Sequence, residues 1–104
     1  MLSPGEIKKE IEERLRAYLS RDTSGIRKEL LNLFIRIRSL TIAEIHARLN
    51  EHFSIGIKSV ASMVGIIASK FGILHIRRNA EGTTSVYEMK KQYLDVVTDI
   101  VAST

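Results

Sequence analysis

Five stretches of helical spacing and one of strand spacing predict a mainly helical α+β fold: a single domain of five helices and a small two-stranded β-hairpin. Three observations carry this reading. Apolar residues recur every three or four positions over most of the chain. The period changes to that of a strand on both sides of Asn79-Ala80-Glu81-Gly82. Capping residues stand at the joints between periodic stretches. A chain of 104 residues, 44% of them hydrophobic, is long and apolar enough to bury one core.

The first helix is predicted over about 4–20. Ser3 serves as N-cap, Pro4 takes the first helical position, and Glu6 stands three residues on to close a capping box. Ile7, Ile11, Leu15, Tyr18 and Leu19 form its apolar face. The polar segment Arg21–Gly25 then turns the chain, with Thr23 or Ser24 able to cap the next helix. In that helix Ile26, Leu30, Leu33, Phe34 and Ile37 make one apolar stripe and Leu31 and Ile35 a second. So wide an arc calls for cover on two sides, by the N-terminal helix or by a second subunit.

Ser39-Leu40 reads as extended. Thr41-Ile42-Ala43-Glu44 is another capping box, opening a short helix that buries Ile42, Ile45 and Leu49 and runs to about His52. Phe53–Gly56 turns into a helix over 57–71, which Gly72 ends as a left-handed residue. Ile73–Arg78 and Thr83–Met89 are rich in β-branched and aromatic residues and pair as the hairpin. From Lys90 helical spacing returns through Tyr93, Leu94, Val97, Ile100 and Val101, giving a last helix over about 90–102.

With no cysteine, a disulfide framework, a thiolate metal site and a cysteine nucleophile are all excluded. An intracellular, cytoplasmic protein is the simplest expectation. The apolar runs fall far short of the ~20 residues that span a bilayer, and the first residues lack a secretory h-region. The net charge of +4 is unevenly spread. Residues 1–20 are neutral and residues 80–104 come to −2, whereas residues 21–79 carry ten basic against four acidic side chains. The middle of the chain would draw a polyanion, although solvated surface charge would give the same pattern.

Helix, extended residue pair, short helix, turn, longer helix and hairpin is the element order of winged helix-turn-helix proteins. The stretch Ile26–Met89 resembles that family, most specifically in the run SLTIAEIHARLNEHFSIGIKSVASMVGIIASKFGIL. Its Gly-Ile-Leu step into the wing is a feature of that family. The whole also resembles a small archaeal family of this fold to which no function is assigned. The resemblance implies a winged-helix core over 24–89 with an additional N-terminal and C-terminal helix. It further implies a DNA-binding protein, a transcriptional regulator, whose helix 57–71 enters the major groove of double-stranded DNA while the 73–89 wing reaches the backbone.

On that alignment Ile57, Val60, Ala61, Val64, Ile67, Ala68 and Phe71 face inward. Lys58, Ser59, Ser62, Met63, Gly65, Ile66, Ser69 and Lys70 face out, and the lysines and serines among them suit phosphate contacts. The outward face lacks the Arg, Asn and Gln that read purines best, which puts sequence-specific readout in doubt. Arg77, Arg78 and Asn79 furnish the wing tip, with Glu81 opposing them. Arg27 and Lys28 are placed to meet backbone phosphates, and Arg36 and Arg38 are secondary candidates for the same contacts. The competing reading is a protein-interaction module that uses exposed Met63 and Ile66 of helix 57–71, or the terminal helices, to hold a protein partner.

No catalytic constellation or phosphate loop is present in the sequence, and neither enzyme activity nor a cofactor is expected. His46 and His52 are six residues apart, which does not put them on one helical face, so no metal site is expected. His75 is placed on the solvent side of the wing. The apolar stripes of the terminal helices, Ile7, Ile11, Leu15 and Tyr18 at one end and Tyr93, Val97, Ile100 and Val101 at the other, would build either a homodimer interface or an extension of the monomer core. A two-fold dimer would set two recognition helices about 34 Å apart.

Overall fold

The computed structural model describes residues 2–104. In chain order these form α1 (Pro4–Ser20), α2 (Ile26–Ile37), β1 (Ser39–Leu40), α3 (Ile42–Leu49), α4 (Ile57–Ile66), a π-helical turn (Ile67–Phe71), β2 (Leu74–Arg78), β3 (Ser85–Met89), a 3₁₀ turn (Lys91–Tyr93) and α5 (Leu94–Ala102). The architecture is α+β, as the spacing predicts. The sheet has three strands rather than two, in the order β1-β3-β2, all antiparallel. Short β1 adds to the hairpin by pairing Ser39 with Glu88 and Leu40 with Tyr87.

Local chemistry explains the helix starts. Ser3 caps α1 by accepting from the Glu6 amide at 3.2 Å, but its hydroxyl donates to the Glu6 carboxylate at 3.0 Å. The reciprocal bond of a capping box is therefore made side chain to side chain. The box at α3 is complete: Thr41 accepts from the Glu44 amide at 3.2 Å, and Glu44 accepts from the Thr41 amide at 2.8 Å.

Neither Thr23 nor Ser24 fills the N-cap position of α2, which belongs to Gly25 in the left-handed region at φ 87°. Asp22 does the capping from outside the helix. One carboxylate oxygen accepts from the amides of Gly25 and Arg27 at 3.1 and 3.2 Å, and the other from Lys28 at 3.1 Å. A carboxylate reaches further than a hydroxyl and is favoured by the positive end of the helix dipole, so it holds three amides where Ser24 meets only Ile26, at 3.4 Å.

The helix ends also follow from individual residues. α2 stops at Arg38, whose φ of 76° and ψ of −42° are strained for a residue with a Cβ. The same residue carries a buried, unpartnered Nε, while its carbonyl accepts from the Met89 amide. α3 closes at Leu49, three residues short of the expected end. Phe53 turns its amide back to Leu49, and His46 Nε2 lies 2.9 Å from the Ile55 carbonyl, so the histidine ties the turn to the helix. The helix expected over 57–71 is continuous, but its last turn is π-helical before Gly72 ends it at φ 64°.

Each strand of the hairpin is shorter than its β-like composition. Asn79 accepts from the amides of Thr83 and Thr84 at 3.0 and 3.4 Å, which removes both from the ladder and starts β3 at Ser85.

Among the described residues all the buried side chains are apolar and form one cluster, from Ile11, Leu15 and Leu19 through Phe34, Ile45 and Val64 to Val97 and Ile100. α5 packs on both α2 and α1, so part of the cover that the wide apolar arc of α2 calls for comes from within the monomer. Two polar ties fix the end of α5: Arg16 donates to the Ser103 hydroxyl at 3.0 Å and Lys28 to the Thr104 carbonyl at 2.9 Å. Among the described residues no helix is long and apolar enough to cross a membrane.

Because one side chain satisfies three amides at the start of α2, Asp22→Ala is expected to lower the unfolding free energy by about 1–2 kcal/mol in urea titrations. Thr23→Ala is expected to change it by only a few tenths, roughly, as for an exposed residue outside the cap. Equal effects of the two substitutions would refute this assignment of the cap.

Candidate functional site

The helix formed by α4 and its π turn presents an unusually uniform surface. From Ile57 to Phe71 there is no aspartate or glutamate. Val60, Val64, Ile67 and Phe71 are buried, and Lys58, Ser59, Ser62, Gly65, Ile66, Ser69 and Lys70 are exposed. Ile57 and Ala61, expected inside, are exposed, and Met63, expected outside, is half-buried against the core. The helix starts at extended Gly56 with no side-chain cap, so its first amides have no side-chain acceptor. Lysine at both ends and bare amides at one make this face electropositive along its length.

The hairpin separates its two arginines. Pairing of His75 with Glu88 and of Arg77 with Val86 puts His75, Arg77, Val86 and Glu88 on one face, together with Ser39 of β1. Arg78 lies on the opposite face with Leu74, Ile76 and Met89. There the core residues Leu74 and Met89 give way toward the tip to Ile76, which is 50% exposed. Arg77 donates to Glu88 at 3.5 Å and to the Ser39 hydroxyl at 3.4 Å, whereas Arg78 makes no side-chain hydrogen bond among the described residues. Asn79 is occupied in shaping the turn.

A second concentration of charge lies where α1 meets the π turn. An open cleft of about 660 Å³ is walled by Arg14, Arg21, Arg27 and Lys70, with Tyr18 and Phe71 among the remaining lining residues and no carboxylate among them. Ala17, Ile66 and Ser69 complete it. Arg27 bridges from α2: it donates to the Tyr18 carbonyl at 2.8 Å, and its guanidinium carbon sits 4.4 Å from the centre of the Tyr18 ring. Tyr18 in turn meets Phe71 edge to face at 5.3 Å. The three ion pairs among the described residues use Arg16, Arg36 and Arg77, so none of the four cleft cations is neutralised by one.

The residues expected to meet nucleic acid therefore fall into separate groups. Lys58, Ser59 and Ser62 share the open face of α4. Ser69 and Lys70 join Arg27 at the cleft, and Arg77 and Arg78 stand on opposite faces of the hairpin. Lys28 is tied to the last residue of the chain.

Of the residues expected at a dimer interface, Ile11, Leu15, Val97, Ile100 and Val101 are buried inside the monomer, where α1 and α5 cover each other. Tyr18 and Tyr93 are half-buried, and Ile7 is 37% exposed. Arg14 and Arg21 were not among the expected site residues. They lie four residues before and three after Tyr18; the neutral charge of residues 1–20 hides Arg14, and Arg21 stands just past the end of α1.

The chain is thus an α+β protein with an acid-free helix face and a cationic cleft at the end of that helix. It belongs to the family described as "Protein of unknown function (DUF2551)", whose model matches residues 15–97. It is 40% identical over 93 residues to an uncharacterized protein of Archaeoglobus fulgidus, covering 88% of this chain and 93% of that one. No solved structure matches it.

Burial raises the pKa of the Tyr18 phenol; Arg27 works against the rise and Asp22 adds to it. The folded state thus favours the neutral phenol. That contribution to stability is complete below the ordinary tyrosine pKa of about 10 and is lost as pH climbs through it toward the folded value. In an alkaline absorbance titration, Tyr18→Phe is expected to remove a phenolate step lying above the ordinary tyrosine range and to flatten the fall in stability above about pH 10. Titration and stability curves that keep the same shape as wild type would refute this.

Proposed function

We propose that the protein is a winged helix-turn-helix DNA-binding protein, with α2, α3 and α4 as the helical core, α4 with its π turn as the recognition helix, and the β2–β3 hairpin as the wing. The observation that carries the reading is the surface of the recognition helix. Ile57–Phe71 bears no carboxylate, its N-terminus has no side-chain cap, and its exposed polar residues are serines and lysines. Such a face attracts phosphate along its length, through lysine charge, hydroxyl donors and bare amides. It carries none of the arginine, asparagine or glutamine side chains that discriminate bases by paired hydrogen bonds, so affinity for any duplex exceeds preference among sequences. Arg78, free of a carboxylate, is the wing's contribution, whereas Arg77 must give up Glu88 to reach a phosphate.

Fluorescence anisotropy with a random-sequence duplex is expected to show binding that weakens steeply between two salt concentrations. Lys58→Ala should lower the slope of log affinity against log salt by roughly one, the contribution of one phosphate contact. Arg78→Ala should weaken binding more than Arg77→Ala. Absence of binding at low salt would overturn the proposal.

A further inference from the structure

We propose that the cleft between α1 and the π turn is a binding site for a nucleoside polyphosphate. The inference does not require the DNA-binding reading, since Arg14, Tyr18 and Arg21 come from outside the recognition helix. Three features of the cleft select the ligand.

The first is charge. Four cations converge from three elements: Arg14 and Arg21 from α1 and its C-cap, Arg27 from the first turn of α2, and Lys70 from the π turn. No carboxylate lines the cleft. Asp22, the carboxylate close enough to act on Tyr18, does not line the cleft; its oxygens accept from the amides of Gly25, Arg27 and Lys28, and its single charge offsets at most one of the four cations. Four like charges with at most one carboxylate beside them repel one another, and a ligand bearing several negative charges relieves that repulsion where a monoanion leaves most of it in place. Phosphate groups match the donors available, because the planar arginine fork bonds two phosphate oxygens at once and lysine adds a point charge.

The second is the aromatic wall. Arg27 holds its guanidinium carbon 4.4 Å from the centre of the Tyr18 ring, a cation–π contact, and Tyr18 abuts Phe71. The lining thus brings a guanidinium and two aromatic rings together, groups on which a heteroaromatic base can stack. No hydrogen bond within the described residues engages the Tyr18 hydroxyl, which leaves it free to bond a ligand. A purely inorganic polyanion would use the cations and leave this wall uncovered.

The third is size. About 660 Å³ falls inside the roughly 300–1,000 Å³ of sites that take organic ligands. An inorganic phosphate would fill only a fraction of it.

The test is isothermal titration calorimetry of the full chain at low salt with ATP, inorganic tripolyphosphate and adenosine as separate probes. The expected result is one saturable ATP site, with tripolyphosphate and adenosine each binding at least about tenfold more weakly. Arg14→Ala combined with Arg21→Ala should weaken ATP at least about tenfold while leaving the circular dichroism spectrum unchanged and the thermal midpoint no lower, because like charges are being removed. Lys58→Ala, outside the cleft, should leave ATP affinity intact.

Absence of ATP binding would overturn the proposal, as would tripolyphosphate binding as tightly as ATP or a double variant retaining wild-type affinity. A chain that binds ATP but no duplex sinks the DNA-binding reading alone. One that binds duplex but not ATP sinks the cleft alone.

Discussion

The packing of α5 against both α1 and α2 is the contact on which the rest of the structure depends, because it gives the N-terminal helix a place in the core. α2 and α3 pack directly on each other and on the sheet, but α1 meets the rest of the protein chiefly through α5 and the π turn. Val97, Ile100 and Val101 supply the buried face, and the helix is apolar enough that solvent would penalise its release. Its C-terminus is then tied on two sides, by Arg16 of α1 and Lys28 of α2. Each tie is an exposed bond of small worth alone. Together they orient a helix that packing already holds. The consequence is positional: by fixing α1, α5 also fixes Arg14 and Tyr18 against the π turn that ends α4.

The π turn is the second geometric constraint. A turn closed by i→i+5 bonds holds more residues than one closed by i→i+4 bonds, so side chains after Ile66 lag the positions an α-helix would give them. Ile67 and Phe71 remain buried, which satisfies the core. Ser69 and Lys70 emerge on the side of α1, and Phe71 reaches Tyr18 at 5.3 Å. Gly72 then reverses the chain in the left-handed region, where a Cβ would be strained. The cleft owes its shape to this departure from α-geometry at the helix end.

Much of the fold is legible in the sequence because its signals are local. The Thr41–Glu44 capping box, the Gly72 stop, the apolar faces of α1 and α5 and the Asn79–Gly82 turn each depend on residues a few positions apart. The errors arise where the deciding partner is distant or where two local partners compete. β1 exists because Glu88 and Tyr87 offer it a ladder, and a pair such as Ser39-Leu40 cannot announce that partner. Asp22 outcompetes Ser24 for the α2 amides because its carboxylate holds more of them, a contest of reach that type-based capping rules do not rank.

Of the candidate site, the acid-free run Ile57–Phe71 can be read directly. The cleft cannot, because it joins residues 14–27 to residues 66–71. Likewise the separation of Arg77 and Arg78 follows from strand alternation, but the engagement of Arg77 by Glu88 depends on which residue the register sets near it.

Electrostatics here belongs to faces and not to segments. Counted along the chain, residues 1–20 are neutral and residues 21–79 hold the positive charge. In space, two arginines of that central excess are compensated, Arg36 by Glu29 at 2.9 Å and Arg77 by Glu88 at 3.5 Å. Meanwhile the nominally neutral first helix contributes Arg14 to the strongest cluster, while Glu12 pairs with Arg16. Folding thus sorts a modest net charge into ion-paired arginines and cations that make no ion pair among the described residues, Lys58 near the bare N-terminus of α4 and the cleft residues at its far end. Exposed ion pairs add little stability, so their larger effect is to screen some arginines and leave others exposed to a ligand. Along α4 and its π turn the lysines have no carboxylate of their own helix to answer them, because Ile57–Phe71 contains none.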